Sequence, residues 1–203
     1  EILTLNPHLS SYSSEAQILI NIYEGLFSYN PKTCEPDFAI AKDYKISRDK
    51  KRWTFILRED AKFCDGKTIT ASDVKNSWLN LLKNKNAPYS SLFDIIEGAK
   101  EFRTGKSTSQ EVSIYTPDEK TLSVHLVSPA SYLPRLLCMP AFSVVSETPG
   151  IFSGPFYISM FTPTELELLK NPHYYDSENI KLQSASFLLT ENAEDNSFFF
   201  NTA

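Results

Sequence analysis

The stretch LREDAKFCDGKTITASDVKNSW, from Leu57 to Trp78, constrains the fold more than any other part of the chain. It overlaps RWTFILRE, which sets Trp53, Phe55 and Leu57 at alternate positions against Arg52, Thr54, Ile56 and Arg58, the period of a strand with one fully apolar face. Asp65-Gly66 then reads as a two-residue hairpin turn, because both residues tolerate positive φ. Thr70 and Asp73 have the spacing of a capping box, and Val74, Trp78, Leu81 and Leu82 form an apolar stripe behind them. The expectation is strand, turn, an extended Lys67–Ile69 and a helix, with no residue in it placed for chemistry.

The other segments follow the same grammar. SEAQ, from Ser14 to Gln17, has the form of a capping box, and Ile18, Leu19, Ile22, Tyr23 and Leu26 repeat at helical spacing, so a helix is expected over 14–24 with Gly25 as its stop. HLSSYS before it reads as a loop that delivers Ser11, Tyr12 and Ser13 to that helix's N-terminus. A third helix is expected over 91–103, weakened at Gly98 and closed by Gly105. VSIYTPDEKTLSVHLV predicts a hairpin turning at Pro117-Asp118, with Leu122, Val124 and Leu126 facing inward. A short helix over 132–138 stops before Pro140. From Phe142 the texture becomes strands: FSVVSE, GPFYISMF, ELELLK and IKLQSASFLLT, the first two joined by TPGIFS as a crossing or hinge. The last segment starts like a helix and stops on Phe198, Phe199 and Phe200, three side chains that need burial, as in a truncated longer polypeptide.

Composition narrows the function classes. The 203 residues suffice for one sizeable domain or two small lobes, and 41% hydrophobic with 22% charged residues is ordinary for a soluble globular protein. A net charge of −5 argues against phosphate-backbone binding, so no nucleic-acid partner is expected. The one basic run, Lys42 to Arg52, alternates with Tyr44 and Ile46 and reads as a solvated strand and turn. Cys34, Cys64 and Cys138 lie far apart without a C-x-x-C pair, so neither a zinc site nor a disulfide framework is indicated. His8, His125 and His173 are isolated, no nucleophile or phosphate-loop motif is present, and 6 glycines make no phosphate cradle. No enzyme, cofactor or metal is expected.

The order of motifs carries a resemblance. LNPHLSSYSSEAQILINIYEGLFSYNP is similar to the opening of the extracytoplasmic oligopeptide-binding proteins of ABC transporters, the peptide/nickel solute-binding family. WTFILREDAKFCDGKTITASDVKNSW resembles that family's most characteristic stretch, and NAPYSSLFDIIEGAKEFRTGK, PDEKTLSVHL and the SGPFYI, LELLKNPHYYD segments follow in its order. The resemblance implies a mixed α/β fold like the type II periplasmic binding proteins. Residues 1–29 and 152–203 would form a first lobe, 30–145 a small inserted domain and 146–151 the connection, with the opposing C-terminal lobe missing. It also implies an oligopeptide ligand, the permease subunits of an ABC importer as partners, and a place in the periplasm or on a lipid anchor outside the cytoplasmic membrane. Ser11, Tyr12 and Ser13 match the segment that pairs by backbone with the bound peptide, and Tyr89 in APYSS matches an aromatic that reaches the ligand region. Ser11 stands where some members carry an acid, and the connection SETPGIFSGPF is shorter than usual. Two alternatives stay open: another cargo on the same fold (a nickel complex, haem or a cell-wall peptide), or a surface module without transport function.

Overall fold

Apolar alternation and polar caps fix where the elements begin in the computed structural model, which describes residues 4–189. In chain order these are helix α1 (Ser13–Ile22), strands β1 (Phe27–Tyr29), β2 (Pro36–Phe38), β3 (Ala41–Ile46) and β4 (Arg52–Leu57), and helices α2 (Ala71–Lys83) and α3 (Ala99–Arg103). Strands β5 (Ile114–Asp118) and β6 (Thr121–His125), helix α4 (Leu133–Leu136) and strands β7 (Phe156–Phe161), β8 (Glu165–Lys170) and β9 (Ser184–Leu188) complete the set. The segment from 190 onward, with Phe198–Phe200 and the helix expected before them, lies outside the described residues.

Among the described residues the strands pair antiparallel in three sheets: β1-β2, β3-β4-β6-β5 and β7-β8-β9. The α2 cap is the one the sequence predicts. The Thr70 hydroxyl accepts from the Asp73 N–H (3.3 Å), and the Asp73 carboxylate accepts from the Thr70 N–H (2.8 Å). Trp53, Phe55 and Leu57 are buried, as their alternation requires, and Leu122, Val124 and Leu126 join them. Trp78 is sealed in the same core, its indole N–H donating to the Phe142 carbonyl (2.9 Å) and its ring meeting Phe93 edge-on at 4.9 Å. Each such fully buried Leu or Phe contributes about 2 kcal/mol from burial.

Among the described residues there are two cores. One holds the four-stranded sheet, α2 and the segments from Leu26 to Val144; the other joins Ile18, Leu19 and Ile22 of α1 to Phe152, Phe156, Leu166 and Leu168. The chain crosses between them twice, and the crossings are sewn together. The Val144 N–H donates to the Glu24 carbonyl (2.8 Å), the Glu24 N–H to the Ser153 hydroxyl oxygen (3.0 Å), and the Gly154 N–H to the Ile22 carbonyl (3.0 Å). Gly154 is obligatory here, since a Cβ would lie 2.5 Å from the Ile22 carbonyl carbon and 2.7 Å from the Tyr23 nitrogen.

Several expectations are corrected. The turn around Asp65-Gly66 has three residues, not two: the Phe63 N–H donates to Lys67 O (2.9 Å) around Cys64, Asp65 and Gly66, with Gly66 at φ +86°. Helix α1 starts one residue earlier than expected, because the Glu15 carboxylate rather than the Gln17 amide makes the capping contact, and it ends at Ile22, where Tyr23 turns extended (φ −125°, ψ 148°). The single helix expected over 91–103 is a 3-10 turn (Ser90–Ile95) and α3, broken where Ile96 bridges Leu126 and Gly98 adopts φ +78°. The β5–β6 turn is Glu119-Lys120, because Pro117 needs no N–H partner on an edge strand. FSVVSE is not a strand. Its backbone is claimed elsewhere: Phe142 O by Trp78, Ser143 O by the Ser77 hydroxyl (2.9 Å), and Val144 N–H by Glu24.

Candidate functional site

The segment before α1 is shaped by one carboxylate. Glu15 is fully buried and accepts from the N–H groups of Thr4 (2.9 Å), Ser11 (3.2 Å) and Tyr12 (3.3 Å). Burial pushes this carboxyl up, but bonds from the Ser10 hydroxyl and from the Tyr12, Thr4 and Ser11 amides outweigh it and hold Glu15 below the usual carboxylate range. These bonds pull residues 10–12 back over the helix start and leave Tyr12 extended, at φ −105° and ψ 146°. Tyr12 O accepts from the Ala16 N–H (3.1 Å). Among the described residues, neither the Ser11 carbonyl nor the Ser13 N–H takes part in a main-chain bond of this segment, and Ser13, as first helical residue, has no intrahelical acceptor. An acceptor and a donor thus flank an extended residue, the arrangement that an added strand uses.

Tyr89 arrives from the other core. It ends the loop after α2 and precedes the 3-10 turn, where the Ser90 hydroxyl donates to the Ala87 carbonyl (2.8 Å). Its ring is half-buried against the larger core, so it packs as well as lines. Pro7, Ser10, Ser11, Tyr12, Ser13 and Ala16 form one wall of a hollow of about 310 Å³, and Tyr89, Met139, Pro140 and Ala141 form the other. All four residues singled out in the sequence therefore line one pocket. A larger hollow of about 700 Å³ beside Tyr44, Trp53 and Pro129 contains none of them.

Sequence reasoning missed Glu15, whose signal was its place three residues after the extended Tyr12, and Met139–Ala141, which carry no local signal. His8 lies buried behind the pocket wall, with Nε2 3.4 Å from the Ser77 hydroxyl of α2, and burial pushes its imidazole down to about 4. Among the described residues no three His, Cys, Asp or Glu side chains gather as metal ligands, and no helix is long and apolar enough to cross a membrane. Cys34, Cys64 and Cys138 are free thiols.

The chain is similar in sequence and fold to known proteins. The chain is 28% identical over 204 residues to the dipeptide-binding protein DppE of Bacillus subtilis, covering 93% of this chain and 37% of that one. It is 29% identical over 204 residues to the periplasmic murein peptide-binding protein MppA of Escherichia coli, covering 93% and 38%. The structure of Listeria monocytogenes OppA bound to peptide superposes with a TM-score of 0.90 at 28% identity, over 98% of this chain and 42% of that one. The chain thus spans well under half the length of these relatives, which are binding proteins, and it has the mixed α/β fold of the type II periplasmic binding proteins. The sequence profile of the bacterial extracellular solute-binding proteins, family 5 (middle), matches residues 35–198, and with the fold and motif order in agreement, the chain belongs to that family.

Proposed function

We propose that the chain forms part of the substrate-capturing component of an ABC importer, and that the captured substrate is an oligopeptide. The observation that carries this is the meeting of Ser11–Ser13, at the start of α1, and Tyr89, packed on the larger core and far away in sequence, at one pocket. A peptide laid along residues 11–13 bonds to Ser11 O and Ser13 N–H as an added strand, and the Tyr89 ring flanks it from the opposite wall. Residues 4–25 and 152–189 act as one lobe and 26–145 as a small domain inserted in it, with 146–151 as the connection; the boundary lies at Leu26 rather than after Tyr29, because Leu26 and Phe27 are buried in the larger core. The protein works outside the cytoplasmic membrane, in the periplasm or on a lipid anchor, and delivers its cargo to the importer's permease subunits.

The test is the ligand that the native protein carries. After purification and acid release, mass spectrometry is expected to find peptides of a few residues, and Tyr89→Ala is expected to weaken their rebinding about tenfold. Recovery of haem or a nickel complex in place of peptides, or unchanged rebinding by Tyr89→Ala, would contradict the cargo or the site respectively. Recovery of cell-wall peptides alone would narrow the substrate class, in line with the murein peptide that MppA is named for.

A further inference from the structure

Glu24 closes the first crossing between the cores. Its side chain is buried, while its main chain holds both Val144 and Ser153 of the second crossing. The carboxyl accepts a hydrogen bond from the Tyr174 hydroxyl, and the two tyrosine hydroxyls of the turn after β8, Tyr174 and Tyr175, lie 3.1 Å apart. The Arg58 guanidinium, at the end of β4, sits 4.5 Å above the Tyr175 ring, and its Nε donates to the Ala39 carbonyl (2.7 Å). One side chain from the crossing, two from the turn after β8 and one from the end of β4 thus form a connected group. No full ion pair closes it, because Arg58 is held by a ring and a carbonyl.

The groups that face Glu24 are Tyr174, Tyr175, Arg58 and, from the segment after α4, Cys138; Asp176 lies beyond Tyr175, and Arg135 and Asp37 beyond Cys138. Burial pushes the Glu24 carboxyl up to about 7, against the lowering effect of the two hydroxyls and Arg58. Burial also drives both tyrosine hydroxyls well above their usual range and Cys138 up to about 12, so they stay protonated while Glu24 titrates.

We propose that Glu24, Tyr174, Tyr175 and Arg58 form a proton-operated latch between the two cores, closed while the carboxyl holds its proton and loosened when it ionises. Resting on the peptide reading above, the latch regulates the pocket, because Ser11–Ser13 lead into α1, whose Ile18, Leu19 and Ile22 lie in the smaller core, while Tyr89 packs on the larger one, and a loosened crossing lets Ser11–Ser13 move away from Tyr89. The proton leaves to bulk water, and the buried carboxylate then draws water into the crossing.

The test compares the native protein with Glu24→Gln, which keeps a neutral side chain at every pH. The melting advantage of Glu24→Gln over wild type is expected to grow by roughly 6–12 °C between pH 4.5 and pH 8. In wild type alone, the Val144 and Gly154 amides are expected to exchange faster at pH 8 once intrinsic rates are removed. Should Glu24→Gln fold poorly, Tyr174→Phe serves: losing a donor to the carboxylate moves the transition in wild-type exchange to higher pH. An advantage that stays constant with pH, or exchange transitions at the same pH in wild type and Tyr174→Phe, overturns the latch. Calorimetry with trialanine at both pH values separates the two ideas, since comparing proteins cancels titration of the peptide's own amine. A wild-type affinity that falls several-fold more than that of Glu24→Gln supports control of the pocket, and an equal fall overturns it. If trialanine binds at neither pH, the peptide reading loses, and the latch is still decided by the melting and exchange results.

Discussion

Glu24 and His8 are both buried where the two cores meet, yet burial moves them in opposite directions. The Glu24 carboxyl rises to about 7 and the His8 imidazole falls to about 4, because a site without water favours whichever form is neutral. The consequences for stability have opposite signs. The folded value of Glu24 lies above its ordinary 4.5, so its contribution is full below pH 4.5 and is lost as pH rises to about 7. The folded value of His8 lies below its ordinary 6.5, so its contribution is full above pH 6.5 and is lost as pH falls to about 4. Between pH 4.5 and 6.5 the two slopes oppose each other, and the wild-type profile is shallow there. A junction made of two neutral joints can thus hide two strong pH dependences.

The largest blow to that junction is steric. Gly154→Ala drives a Cβ into the backbone of Ile22 and Tyr23 and is expected to cost about 3 kcal/mol or more at any pH, read as a fall in the denaturation midpoint. A cost near zero would mean that the crossings are not held this tightly. The sharper test removes one joint at a time. With His8→Gln, stability is expected to fall by about 3 kcal/mol as pH rises from 4.5 to 7; with Glu24→Gln, it is expected to rise by a similar amount from pH 4 to 6.5. Denaturant melts across that range check both, and slopes of the same sign in the two variants would break the comparison.

How far the sequence foretold this depends on the range of the signals. Thr70 with Asp73, and Trp53 with Phe55 and Leu57, act through neighbours in sequence, and the structure places them as read. The failures occur where distant backbone intervenes. FSVVSE has the composition of a strand, but α2 and Glu24 take its polar groups first. Gly98 breaks a continuous apolar stripe because Glu111 O would lie 2.1 Å from any Cβ there, and residue 111 gives no hint of that. The pocket was half legible: local reading brings Ser11, Tyr12 and Ser13 to the start of α1, but only the family resemblance joined Tyr89 to them. Glu24 was seen as part of a helix end, since nothing beside it in sequence announces Tyr174 or Arg58.

The smallest substitution gives the most direct test of the pocket. Ser13 is the first residue of α1, a position where proline is tolerated, and the extended Tyr12 before it already has the backbone that proline demands. Ser13→Pro therefore deletes the N–H proposed to bind the peptide while leaving the helix intact. Calorimetric titration of native and Ser13→Pro protein with the peptides recovered from the native form is expected to show about tenfold weaker binding with an unchanged melting midpoint. Equal affinity in the two proteins would contradict peptide pairing along residues 11–13.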